Sequence, residues 1–582
     1  MILQALNGYY QRLADDPNCD VAPYGFSRQK IAFCITLNPD GTLHSIDDIR
    51  DQQDGRQIPR SLVLCGNSKP SGSGINPGFL WDNPAYLLGY KPDDPKPDRT
   101  RKSFEALRDR HRAAEQSIQD AQFSAVCTFL ARWNPENATD HEAIVALGTG
   151  FGVFRLRGAD HFVHDRPAVQ KWWQLQLASE EDSGQPTVGQ CLVSGEVGPL
   201  ARLHQPKIQG VMGAQSAGAA IVSFNLNAFE SYGKQQSLNS PVGESSAFQY
   251  CTALNHLLRQ GSPQRIQIGD ATTVFWTARP SEAENLLPWV FEPTKDSEDE
   301  SLKTEVRSLL NRIRQGGYPS ELGRPDTPFY VLGLSPNAAR ISVRFWHEST
   351  LADLVQNLHQ HFADLQLAHS EKDPDFPAVW QLIRETVRES KDIPPLLGGA
   401  VLRSILTGSP YPSMYFSALI RRIRADREVR YLRVAAIKAH LNRNSRFGID
   451  PLEKELGMSL DPDRTEPPYQ LGRLFAELEK TQEDALPGIN DTIKDRFFGA
   501  ASATPASVFP RLIRLSQHHL GKLEKGKKIY HERRIQEIAS RIDGFASHLN
   551  LRDQGLFAIG YYHQRQDIFT KKSEPETSNV EN

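Results

Sequence analysis

Hydrophobic and polar positions follow two rhythms along this chain, and the rhythm changes near residue 350. Ile2, Leu3, Leu6, Tyr9, Tyr10 and Leu13 mark one face of a short opening helix. Short apolar or alternating runs then predict strands: "KIAFCITLN", "RSLVLC", "HEAIVALG", "GVFRLRG", "ATTVFWTA" and "PFYVLGLSPNAARISVRFW". The last reads as a hairpin turning at "SPNA". In its second arm Ile341, Val343 and Phe345 alternate with Arg340, Ser342 and Arg344, which predicts one buried and one polar face.

After about Ser349 the period becomes helical. "STLADLVQNLHQHFADLQL", "FPAVWQLIRETVRES", "MYFSALIRRIRADREVRYLRVAAIKAHLNR", "YQLGRLFAELEKTQEDAL", "SVFPRLIRLSQHHLGKLEK" and "IYHERRIQEIASRI" all carry it. Leu471, Leu474 and Leu478 share one helix face. The expected fold is α+β: a mixed α/β domain with antiparallel strands, then an α-helical bundle. The expected parts are 1–350, a helical connecting region 351–457, and a C-terminal bundle 458–582. "KPDDPKPDRTRKS" reads as a loop or linker. "RPSEAENLLPWVFEPTKDSEDESLKTE" reads as an acidic insertion.

Composition narrows the class. At 582 residues the chain can bury several sizeable cores. Six scattered cysteines without a CxxC argue against a zinc site or a disulfide framework. The first residues lack a basic segment followed by an apolar core, and no apolar run suits a bilayer, so the cytoplasm is the expected address.

A net charge of -3 conceals strong segregation. Between 403 and 446 ten basic residues face only Asp426 and Glu428. Between 511 and 534 eight face only Glu524 and Glu532. Either run alone reads as a solvated helix face. Two together point to a polyanion. Arg421, Arg422, Arg424, Arg427, Arg430 and Arg433, with Lys525, Lys527 and Lys528, are the candidates to meet its backbone.

Catalytic constellations are harder to find. "GAQSAGA" misses the G-x-S-x-G spacing of a nucleophile elbow, and Gly148, Gly150 and Gly152 do not make a dinucleotide fingerprint. No Walker A sequence occurs. His359 and His361, two apart on a helix, point to different faces, and adjacent His518 and His519 meet the same objection. No cofactor or metal is expected. Two stretches suit close binding instead. "CGNSKPSGSGINPGFLWDN" combines glycines, amides and a lysine with a Phe-Leu-Trp anchor. Small residues and amides of this kind can enter a groove and read base edges; a plain surface turn pinned by Phe79 and Trp81 is the alternative. "GAQSAGAAIVSFNLNAFESYGKQQSLNSP" has the same texture. Here Ile221, Val222, Phe224, Phe229 and Tyr232 are expected to pack. Gln215, Ser216, Asn225 and Lys234 remain to hold a polar polymer, or the chain's own core.

Several long stretches resemble the large subunit of the CRISPR-associated subtype I-C Cascade. They are "MILQALNGYYQRL", "SGSGINPGFLWDN", "CLVSGEVGPLARLHQPKIQGVMGAQSAGAAIVSFNLNAFESYGKQQSLNSPV", "GLSPNAARISVRFW" and "GLFAIGYYHQRQDIF". The resemblance implies a non-catalytic subunit that recognises a protospacer-adjacent motif in double-stranded DNA. It also implies help in duplex opening and R-loop formation, a hold on the displaced strand, and recruitment of a helicase-nuclease. The implied partners are guide RNA (crRNA), target DNA, and the handle-capping, backbone and small subunits. Lys69, Ser73, Asn76 and Asn83 are the expected motif contacts. The family further implies a small subunit made from an internal start, for which Met458 is the candidate. The competing class is a nuclease or hydrolase using a site such as His518 and His519.

Overall fold

The computed structural model describes residues 1–16, 19, 21–53, 56–66, 74–141, 144, 150–180, 187–268, 271–285, 288 and 300–569. The strand expected at "HEAIVALG" and residues 286, 287 and 289–299 of the acidic insertion lie outside them. The fold is α+β. Two compact units divide the chain: 1–260 with 336–342, and 261–335 with 343–582.

The first unit opens with α1 (Ile2–Ala14), whose Leu6, Tyr9, Tyr10 and Leu13 are buried. Its sheet is built on β1 (Phe26–Leu37). The first half of β1 pairs antiparallel with β5 (Arg60–Cys65). The second half pairs antiparallel with β2 (Leu43–Asp48) and parallel with β7 (Phe151–Leu156), which in turn pairs with β6 (Trp81–Asp82). Two short ribbons, β3 (Asp51–Gln53) with β4 (Arg56–Ile58) and β8 (Val188–Gln190) with β9 (Val197–Pro199), stand apart. Gly152 lies within β7, and a Cβ there would sit 2.2 Å from the Phe33 ring. It serves aromatic packing across the sheet rather than a turn. The unit's helices are α2 (Pro84–Leu87), α3 (Pro97–Glu115), α4 (Ala121–Arg132), α5 (Pro167–Glu180) and α6 (Glu244–Leu258).

Strands β10 (Arg265–Ile268), β11 (Ala271–Thr277), β12 (Pro328–Asn337) and β13 (Arg340–Thr350) form one sheet in that order, which belongs to the second unit except for the hairpin tip 336–342. Phe345 is buried over Gly333, where a Cβ would meet its ring at 2.2 Å. Val343 is exposed, so the predicted alternation of the second hairpin arm breaks at that position. The helices are α7 (Glu300–Arg314), α8 (Leu351–Leu365), α9 (Val379–Arg384), α10 (Pro395–Thr407), α11 (Ser413–Asp426) and α12 (Tyr431–Arg446). They continue as α13 (Pro467–Ala485), α14 (Ile493–Ala501), α15 (Pro505–Leu520), α16 (Lys525–Ala539) and α17 (Leu551–Phe569). The long helical stretch 414–443 is two helices. Arg427 takes a left-handed φ of 59° at the break, and Asp426 just before it is held by Arg422 and Arg433.

The change of texture near 350 does not divide this unit. Phe275, Phe329 and Phe345 of the sheet share one continuous hydrophobic core with Leu354, Val401, Ile437, Leu474 and Phe557 of the helices. A strand face buried by helices belongs to their core, whatever its local period. No core boundary falls at 457 either, since Gly555 of α17 lies against Phe416 and Ile437. Among the described residues no helix is long and apolar enough to cross a membrane.

Helices α13 and α17 pack backbone against backbone. A Cβ on Gly472 would lie 2.1 Å from the Phe557 carbonyl oxygen, and one on Gly560 would lie 2.1 Å from that of Tyr469. The glycines therefore let the two backbones touch. Around them Glu477 accepts from Arg534 (3.2 Å) and pairs with His531 (2.9 Å), while Tyr561 donates to Glu479 (2.6 Å). Alanine normally favours a helix over glycine by about 1 kcal/mol. Here Gly472→Ala and Gly560→Ala are expected to destabilise by roughly 1–3 kcal/mol or more, because the new methyl meets backbone. Urea unfolding of the purified chain checks the sign.

Burial holds the His361 and His563 pKa values down to about 3, and those of His111 and His440 down to about 4. They stay neutral when folded, while an unfolded histidine protonates near 6.5. Their stabilising share is complete above about pH 6.5 and is lost as pH falls toward 4. His531 has the opposite sign. Burial opposes its charge, but hydrogen bonds to Glu477 and Asp484 raise its pKa. Its share is complete below about 6.5 and is lost as pH rises through the raised value. Unfolding free energy measured over this range should fall on the acid side. His531→Gln should lose stability more at pH 6 than at pH 8.

Candidate nucleic-acid interface

Three surfaces carry the predicted contacts. The first is the loop between β5 and β6. Lys69 and Ser73 lie outside the described residues. Both flanks of the loop are firmly held. The Trp81 indole donates to the Cys65 carbonyl (2.8 Å), and the Ser27 hydroxyl donates to that of Gly66 (2.5 Å). On the far side Arg110 donates to the Pro77 carbonyl (2.5 Å) and the Asp82 carboxylate accepts the Gly78 N–H (2.8 Å). Gly78 admits no side chain, since a Cβ would lie 2.0 Å from the Trp81 carbonyl oxygen. Phe79 stacks on His111, Trp172 and Trp173. His111 accepts the Leu80 N–H through Nε2 (2.9 Å), so its proton sits on Nδ1 and donates to Leu107 (2.7 Å). Asn76 is exposed on this rim, and its N–H donates to the Tyr86 hydroxyl (3.1 Å). Asn83 is half-buried. Its carboxamide oxygen caps α2 by accepting the Ala85 N–H (3.0 Å), so its side chain is a structural cap.

The second surface is the irregular segment from 200 to 243. Isolated bridges and single turns replace regular elements there. It is nonetheless anchored. Ile208 and Ala219 exchange backbone hydrogen bonds, Asn255 of α6 holds the Gln209 N–H (2.8 Å) and the Lys207 carbonyl (3.0 Å), and the buried Ser237 donates to Arg202 (2.5 Å). Gln215, Ser216, Asn225 and Lys234 are all exposed, and Asn225 accepts from Arg340. Two packing expectations fail. Tyr232 is 98% exposed, and Phe229 is open to solvent with the Arg340 guanidinium 5.0 Å over its ring. Ile221, Val222 and Phe224 are only half-buried, and the segment is closed instead by Ile208, Val211 and Ala219. Leu203, Met212 and Leu226 are also exposed. A long, ordered, partly apolar loop is the kind of surface that meets a partner.

The third surface comprises the basic helices, and here folding sorts the charges. Arg433 is buried, 2.7 Å from both Asp426 and Glu385, which removes it from the DNA-facing set. Arg422 is half-buried against Asp426, and Arg430 pairs with Glu428. Arg443 and Arg446 close on buried Asp364 (3.2 and 2.6 Å). Burial holds the nearby Lys438 pKa down to about 8. Arg421, Arg424 and Arg427 remain exposed without an ion pair among the described residues. On α16, Lys525 and Lys527 are exposed, while Lys528 reaches Glu532 at 3.8 Å. Met458 lies exposed between α12 and α13, and its carbonyl accepts the Ala368 N–H (2.9 Å).

One open cleft of about 370 Å³ is lined by His44, Asp47, Arg155, Arg157 and Asp160 among others. Its two arginines face two aspartates, and Arg155 approaches Asp47 at 3.8 Å, so it offers an anion little net attraction. Among the described residues no three His, Cys, Asp or Glu side chains gather as metal ligands.

A family model described as "CRISPR-associated protein (Cas_Csd1)" matches residues 6–569, nearly the whole chain. The chain belongs to this CRISPR-associated family. No curated protein matches it.

Proposed function

We propose that this CRISPR-associated protein is the non-catalytic large subunit of a subtype I-C Cascade. In this reading it recognises the protospacer-adjacent motif in duplex DNA, promotes R-loop formation, holds the displaced strand and recruits the helicase-nuclease. It works in the cytoplasm with guide RNA and the handle-capping, backbone and small subunits. The family match over 6–569 carries the reading. The exposed cations of α11 and α16 in a chain of net charge -3 support it. Base pairing to the guide supplies most of the sequence specificity in such systems, and the protein reads only a short duplex motif. The anchored rim bearing Asn76 is the element we assign to that motif, because a carboxamide can pair with a base edge.

The test uses the complex assembled with guide RNA. Affinity is measured on duplexes with and without the motif across a salt series. Asn76→Ala should cost about 1–3 kcal/mol of discrimination. Arg421→Glu with Arg424→Glu should flatten the log–log salt slope by about two units on either duplex. Arg433→Gln should lower stability and leave the slope alone. Equal affinity of the wild-type complex for both duplexes would sink the motif reading. Cleavage of duplex by the purified chain with Mg²⁺ would overturn the non-catalytic assignment.

We also propose Met458 as an internal start that yields a separate small subunit. Its exposed position in an irregular segment supports this. Such a product would uncover the patch of α17 that Phe416 and Ile437 now cover. Intact-mass analysis of the complex expressed from the native gene should find a species beginning at Met458. That species should vanish when the codon is changed to Leu.

A further inference from the structure

Tyr232 stands at the tip of a two-residue turn. Ser231 and Lys234 bridge across it, and the Lys234 N–H donates to the Ser231 carbonyl (3.0 Å). Tyr232 and Gly233 have φ values of 54° and 70°, the signature of a type I′ turn. Asparagine or glycine normally fills the first of these positions. A bulky tyrosine there is strained.

The strain is maintained by a dedicated clamp. The Asn239 side-chain oxygen accepts the Ser231 N–H (3.0 Å), and its amide nitrogen donates to the carbonyls of Lys234 and Gln236 (2.9 Å each). One side chain thus spends its oxygen and its amide on a surface turn. The neighbouring Ser237 is buried and donates to the Arg202 carbonyl, tying the clamp to the start of the segment. Yet the ring so positioned packs on nothing. It is 98% exposed, and among the described residues it meets no other ring. A strained residue that contributes no packing is retained against stability, which points to a partner.

The surroundings indicate which partner. Lys234 of the turn is exposed, as is Arg202, whose carbonyl accepts from Ser237, and Arg340 covers Phe229 two residues before the turn. Between 197 and 241 the cations are Arg202, Lys207 and Lys234, and Glu230 is the one acid in the sequence. An aromatic ring with a cation two residues on, in a stretch poor in acids, matches a base with its phosphate. A finger one residue wide can enter between bases.

We infer that the 231–234 turn is a preformed stacking finger, in which the Tyr232 ring stacks on an unstacked nucleobase while Lys234 meets the adjoining phosphate. This inference rests on the proposed nucleic-acid role. It commits to a nucleobase rather than a protein groove.

The experiment uses the assembled complex with guide RNA and DNA carrying 2-aminopurine at successive positions. Tyr232→Ala should weaken binding by roughly tenfold, within the range for loss of one stacked base. Its salt slope should stay unchanged, because the ring neutralises no phosphate. Tyr232→Phe should keep most of the affinity. Lys234→Gln should flatten the slope by about one unit. Tyr232→Asn should bind as weakly as Tyr232→Ala while melting at or above the wild-type temperature, since asparagine suits a left-handed φ. One 2-aminopurine position should lose its quenching in the Ala and Asn variants alone. Wild-type affinity and an unchanged fluorescence pattern in Tyr232→Ala would overturn the finger and leave the wider role standing. Loss of co-purifying subunits, with normal DNA affinity in whatever complex assembles, would overturn it in favour of a protein contact. Failure of the wild-type complex to bind any nucleic acid would overturn the proposed function and the finger with it.

Discussion

The C-terminal unit depends on how closely α13 and α17 approach. Gly472 and Gly560 remove the two side chains that would hold these helices apart, so backbone meets backbone. That contact fixes what lies along the crossing. Arg473 reaches Gln564 (3.0 Å), Tyr561 reaches Glu479 (2.6 Å), and the Tyr469 hydroxyl meets His563 (2.9 Å). Buried polar groups tolerate little misplacement, because an unmade hydrogen bond in the interior costs the full desolvation of the group. A wider crossing would leave several of them unmade together.

The polar layer then positions the surface. His531 sits between Glu477 and Asp484, and Arg534 joins Glu477 to Asp567 (2.6 Å). These bonds, together with the apolar packing of the buried Ile538 and the partly buried Ile535, hold α16. The opposite face is open, with Lys525 and Lys527 among its exposed residues. Buried ion pairs are weak sources of net stability but strong sources of geometry. Here they decide which cations are internal and which are offered to solvent. The same division holds on α12, where Asp364 takes up Arg443 and Arg446.

In the first unit the ordering problem is different. The segment from 200 to 243 has no ladder to organise it, so individual side chains do that work: Asn255, Ser237 and Asn239 each bond backbone groups several residues away. Such anchoring leaves the intervening residues in fixed places without burying them. That is how a segment dense in apolar side chains remains both ordered and exposed.

Sequence alone determined the classes of element. Short apolar or alternating runs located β1, β5, β7, β11 and the β12–β13 hairpin, and the 3.6-residue period located α8 and most of the helices from α11 to α16. Long motifs also carried the family, because a resemblance spread over hundreds of residues does not depend on any one contact. Tertiary structure decided the roles of single residues. Arg421 and Arg433 belong to the same basic run, and only the fold places one in solvent and the other beside Asp426 and Glu385. Asn76 and Asn83 are alike in sequence context, but one is on an exposed rim and the other caps a helix. Tyr232 read as a packing anchor because tyrosine usually is one. Its exposure follows from a turn held by Asn239, seven residues further along, and no local pattern encodes that clamp. Periodicity reports which face of an element is apolar. Burial, pairing and capping depend on what the rest of the chain brings to that face.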